Sequence, residues 1–191
     1  MGKRQYASTI YMASIKGDDD MRYRDFKKAK DTYLKTLKIY HDLEKNEVVK
    51  SPIEGISIIE ILRIDIAEFL MYLSAADGTI DQNEVLVFRE ITGFKDGIEG
   101  IIRHIEDNDI YSTAYESTVP YSMRLAVEAE TIAQKVSGQK RATTLPRQLI
   151  KLYQSIGLSL IQADGEIAHD ERRDYNIYID TLEDYAEENG F

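Results

Sequence analysis

The sequence predicts an all-α fold, a helical bundle of about seven helices with an internal duplication of a helix-turn-helix unit. Three observations carry this. Apolar residues recur at helical spacing almost without a break from Met21 onward. The chain has only three prolines, and Pro120 and Pro146 both stand where a helix opens, so their missing N–H groups leave the ladders intact. No convincing alternation of apolar and polar residues marks a strand, and the only candidate is Tyr6 to Ile15.

Residues 1–20 read as a weakly structured lead ending in Gly17-Asp-Asp-Asp20. The first helix spans about Met21 to Val48, with Phe26, Ala29, Tyr33, Leu37 and Tyr40 on one stripe and lysines elsewhere. Ser51-Pro52 ends it. The second helix opens at Ser57-Ile-Ile-Glu60, a capping-box sequence, and is the candidate for a central buried helix. Its apolar face is Ile59, Leu62, Ile66, Phe69, Leu70 and Leu73, and it stops at Ala76-Asp77-Gly78. Asp81 caps a third helix with Glu84 at the third helical position, and Gly93 closes it. A fourth runs from Gly97 to Asp107. After a polar loop, Pro120 opens a fifth, carrying Met123, Leu125, Ala129, Ile132 and Val136. Thr144 reads as the cap of a sixth, whose stripe is Leu149, Leu152, Ile156, Leu160 and Ala163. The last covers about His169 to Glu188.

The repeat lies between these helices. Asp77-Gly-Thr-Ile-Asp-Gln-Asn-Glu84 returns 87 residues later as Asp164-Gly-Glu-Ile-Ala-His-Asp-Glu171. Each copy follows a long apolar helix and an alanine, and each opens another helix, which points to duplication and a pseudo-twofold arrangement. The glycine permits positive φ and ends the first helix, while the glutamate closes the capping box of the next. The spacing is also the second half of an EF-hand loop. The first half is missing, because its ligand positions fall on Leu73 and Ala75, or on Leu160 and Gln162. Any cation therefore needs further oxygens from elsewhere.

This pattern, Ala-Asp-Gly-x-Ile-x-x-x-Glu twice in an acidic helical domain, resembles the tellurite-resistance TerB-like family. The segment Val119 to Glu130 falls where such proteins have their middle helices, and the resemblance covers roughly residues 55–188. It implies a TerB-like helical domain at 55–191; the lead and basic helix at 1–54, read from the residues themselves, are not part of what the resemblance implies. It implies a link to metal or chemical stress, mostly without enzyme activity, and carries the family's acidic positions onto Asp77, Glu84, Asp164 and Glu171.

Charge bounds the partners. The chain carries 24 basic and 34 acidic side chains. This sign argues against nonspecific nucleic-acid binding and suits metal cations or a basic protein partner. Residues 22–50 are net basic, with nine basic and five acidic side chains, whereas residues 51–191 hold 12 and 26. The basic helix is thus expected either to dock on the acidic body or to serve as an arm, and to be dispensable for folding of the rest. The absence of cysteine excludes disulfides and thiolate ligands. No apolar stretch is long enough to span a membrane, and the N-terminal residues are too polar for a signal sequence, so the expected location is cytoplasmic.

The leading functional expectation is a non-enzymatic module that binds a divalent cation, Ca²⁺ or Mg²⁺, a protein partner, or both. The candidate ligands are Asp77, Asp81, Glu84, Asp164 and Glu171. In the first turn, cation binding and simple helix capping stand level. The second turn has Ala168 in place of Asp81, reads first as capping, and is expected to matter less. A metal-dependent hydrolase using the same carboxylates is the alternative from another class, although no nucleophile or phosphate loop is legible. A structural adaptor with an acidic docking face is the third. Asp65, Glu68, Glu128 and Glu130 read as solvated edges, His169 as an exposed imidazole beside the second turn, and Tyr111, Tyr115 and Tyr121 as packing or a surface patch.

Overall fold

The computed structural model describes residues 19–111, 118–139, 142–163 and 168–191. Seven helices are present among them: α1 (Asp19–Lys45), α2 (Ile58–Ser74), α3 (Gln82–Thr92), α4 (Ile98–Asp107), α5 (Tyr121–Ser137), α6 (Leu145–Ile161) and α7 (His169–Glu188). No strand occurs among the described residues, and no described helix is long and apolar enough to cross a membrane. The segment Tyr6 to Ile15 lies outside the described residues.

The helix α2 is the axis of the bundle and touches each of the other six. Its sequence explains this, since Ile61, Leu62, Ile66, Phe69, Leu70, Met71, Tyr72 and Leu73 are all buried and cover most of its circumference. Each such side chain contributes about 1.5–3 kcal/mol when fully withdrawn from water. An aromatic cluster forms where α2, α6 and α7 meet. The Phe69 ring lies 4.5 Å from that of Tyr178 and 5.0 Å, edge-on, from that of Tyr153. The helix α6 approaches this cluster closely because Gly157 has no side chain: a Cβ there would stand 2.9 Å from Phe69 Cζ and from the Tyr175 ring.

The basic helix α1 joins the same core. Ala29, Tyr33 and Tyr40 are buried, and α1 packs chiefly on α6 and α2. The buried Tyr40 hydroxyl donates to the carbonyl of Ser122 at 2.6 Å. This burial argues against the dispensability expected of the helix. Its docking is apolar first, with Lys30 adding an exposed ion pair of 2.7 Å to Glu90 on α3.

Three helix starts are capped by carboxylates from other helices. Glu44 of α1 accepts from Ile58 N at the start of α2 (2.9 Å). Asp65 of α2 accepts from Ser122 N in the first turn of α5 (2.6 Å). Glu130 of α5 accepts from Leu145 N at the start of α6 (2.9 Å). The last two overturn the reading of Asp65 and Glu130 as solvated edges, since both are buried and each satisfies an amide that has no partner within its own helix. Thr144 does stand at the cap position of α6, but its hydroxyl makes no cap bond. Pro120 precedes α5 as its cap residue and has no side-chain oxygen to offer, so Asp65 supplies one. Glu128 is exposed, as expected, and Glu68 is half-buried.

Candidate functional site: the paired acidic turns

The first turn is built by local hydrogen bonding. As α2 ends, Ala75 N donates to Met71 O and Ala76 N to Leu73 O. Gly78 then turns the chain at φ +81°, a conformation that favours glycine. Asp77 is exposed, and its Oδ1 accepts from both the amide and the hydroxyl of Thr79 at 2.8 Å. This turn mimics a backbone bend and commits one oxygen of Asp77. Asp81 takes the cap of α3, where its Oδ1 accepts from Asn83 N (2.6 Å) and Glu84 N (2.8 Å). Glu84 completes the capping box through Oε2, which accepts from Asp81 N at 2.9 Å. Its other oxygen, Oε1, is buried and has no hydrogen-bond partner.

The second turn repeats part of this device. Glu171 Oε2 accepts from Ala168 N at 3.0 Å. Ala168 has no side-chain oxygen to return, so α7 keeps only the glutamate half of the box. Asp164 lies outside the described residues.

The two glutamates belong to one electrostatic environment. Glu84 and Glu171 are both buried, each 7% exposed. The Glu84 carboxyl is pushed up to about 8, first by burial and then by the charges of Glu171, Asp81 and Asp77, against the Asp81 amide bond that favours its anion. The structure thus brings together the glutamates of both sequence copies and leaves Asp77 at the exposed edge. Among the described residues, no group of three or more carboxylates and imidazoles is gathered in an arrangement ready to hold a metal ion.

Two participants are not among the candidate residues read from the sequence. Asp174 of α7 is fully buried, and its Oδ1 accepts from Arg173 Nε at 2.8 Å. Its Oδ2 accepts from the hydroxyl of Tyr111 at 2.9 Å. The same hydroxyl lies 3.4 Å from the carbonyl of Ala76, so Tyr111 ties the end of α2 to α7. Its ring also packs against that of Tyr72, with centroids 5.5 Å apart. A signal for Asp174 existed, because three residues after Glu171 lies the same face of the helix. None existed for Tyr111, whose partners are distant in sequence. Tyr121 is exposed beneath the Arg124 guanidinium, and Tyr115 lies outside the described residues. His169 is exposed and 3.4 Å from Asp170. Comparison with protein-family models, with curated proteins and with solved structures finds no match to the chain.

Proposed function

We propose that the chain is a non-enzymatic, TerB-like helical module whose two acidic turns form one shared binding point for a divalent cation, Ca²⁺ or Mg²⁺. The supporting observation is Glu84. One of its oxygens caps α3, while the other is buried without a partner in the field of Glu171, Asp81 and Asp77. A buried carboxyl surrounded by like charges either keeps its proton or needs a cation. The side chains whose charges act on Glu84, namely Glu171, Asp81 and Asp77, are all carboxylates, the oxygen donors that a hard cation takes. They fit a low coordination share from protein, with water supplying the remainder.

On this reading the two glutamates act together, so Glu84→Gln and Glu171→Gln each abolish the response to the ion. The direct test is a thermal melt of the full chain in chelator and in Ca²⁺ or Mg²⁺. With the ion at about a hundred times its Kd, Tm rises by roughly 5–10 °C in the unsubstituted protein and stays fixed in both variants. An unchanged Tm, with no stoichiometric metal in protein purified without chelator, leaves the turns as capping devices in a structural adaptor. Ion-dependent turnover of phosphoesters would instead favour the hydrolase reading.

A further inference from the structure

Away from the paired turns, and sharing none of their carboxylates, a groove of about 320 Å³ opens between α2, the α3–α4 link and α4. Its apolar lining includes Ile64, Ala67 and Met71 of α2 and Phe94 of the link. Ile64 is 42% exposed at the rim, whereas Met71 is buried at the floor. A volume of this order is within the range of small-ligand sites.

Three lining side chains can carry charge: Arg63, Glu68 and His104. The Arg63 guanidinium lies beside the Tyr33 hydroxyl, whose proton is held more tightly because of burial, with Arg63 only partly opposing that rise. The His104 ring stands edge-on to Phe94 at 6.5 Å. Glu68 is half-buried, and its carboxyl is raised by burial and by the charge of Asp65 one turn away. No hydrogen bond or ion pair to Glu68 occurs among the described residues. The groove therefore combines an apolar bed with a half-buried carboxylate that makes no ion pair among the described residues, with exposed Arg63 and His104 also on the lining, on a body with a marked excess of negative charge.

We propose that this groove binds a small amphipathic cation, an aliphatic ammonium whose chain lies on Ile64, Ala67, Met71 and Phe94 and whose charge is held by Glu68. The ammonium supplies the counter-charge that Glu68 lacks. Phe94 offers an aromatic face to the methylenes beside the nitrogen. An anionic ligand of the same length is disfavoured by Glu68 and by the Asp65 charge behind it.

The test uses the full chain and three probes of one length: hexylammonium, hexanol and hexanoate. Methyl NMR of Met71 and Ile64 reads binding. Hexylammonium is expected to shift both signals and to bind about tenfold more tightly than hexanol, with hexanoate weaker still. Glu68→Gln reduces hexylammonium to the level of hexanol. Ile64→Lys is a second, independent variant at an exposed position. It tethers an ammonium four residues before Glu68 on the same helix face, so it weakens hexylammonium by about tenfold without loss of fold. Equal binding of hexanol and hexylammonium, unchanged affinity in either variant, or no shift at Met71 overturns the proposal.

Discussion

At the residue scale, Asp65 shows how one side chain answers two demands. It sits in the core, 6% exposed, and holds the first turn of α5 through Ser122 N. Burial pushes its carboxyl up to about 6, outweighing the Ser122 hydrogen bonds and the Arg124 charge that favour the anion. The folded state therefore holds this proton more tightly than the unfolded chain does. The contribution to stability is full below the ordinary aspartate range, declines as pH rises from about 4 to 6, and is flat above. Asp65→Asn keeps an oxygen for Ser122 N and cannot titrate, so its stability curve lacks that decline, a difference on the order of 2–3 kcal/mol. Urea denaturation of both proteins from pH 4 to 7 measures it. Asp65→Ala leaves the Ser122 amide unpaired and costs about 1–3 kcal/mol at any pH in that range. The sequence did not reveal this role, because an aspartate beside an apolar stripe looks the same whether it faces water or an amide 57 positions away. Glu130 was hidden for the same reason, whereas Asp81 and Glu84 were legible because their partners are two and three residues distant.

At the scale of elements, helical periodicity sufficed to place all seven helices, and local capping pairs marked the starts of α2 and α4's predecessor α3. What periodicity does not carry is how closely two helices approach. Gly157 lies within α6, where alanine is intrinsically the better helix former by about 1 kcal/mol. The Phe69 and Tyr175 rings nevertheless occupy the space that a Cβ requires. Gly157→Ala is therefore expected to destabilise by about 1–3 kcal/mol, because overpacking between rings exceeds the propensity gain. Chemical denaturation decides the sign. A stabilised variant would show that the rings move aside freely.

At the scale of the whole molecule, the division of charge between residues 22–50 and the remainder suggested two separable parts, but the distribution of apolar burial does not follow it. The lysines of α1 face outward, while Ala29, Tyr33 and Tyr40 complete the core. A chain beginning at Pro52 leaves the α1-facing sides of α6 and α2 open to water. It also removes Tyr40 from the Ser122 carbonyl and Glu44 from the Ile58 amide. Such a chain is expected to keep much of its helical far-UV signal, lose near-UV ellipticity and bind ANS. A sharp cooperative unfolding transition in the truncated chain would show instead that the bundle closes without α1.

The carboxylates lent between helices also bear on how the protein breathes. Glu44 on α1, Asp65 on α2 and Glu130 on α5 tie α1 to α2, α2 to α5 and α5 to α6, one link after another. An amide held by its own helix, such as Asn83 on Asp81, is released when that single turn frays. The amides of Ser122 and Leu145 are released only when a second helix moves away. In native-state hydrogen exchange, Ser122 and Leu145 should accordingly exchange through the largest openings and show the steep denaturant dependence of global unfolding, while Asn83 exchanges through small ones. Exchange of all three at one shallow dependence would contradict this. Helix starts, ordinarily the loosest points of a bundle, thus become places where α2, α5 and α6 open together.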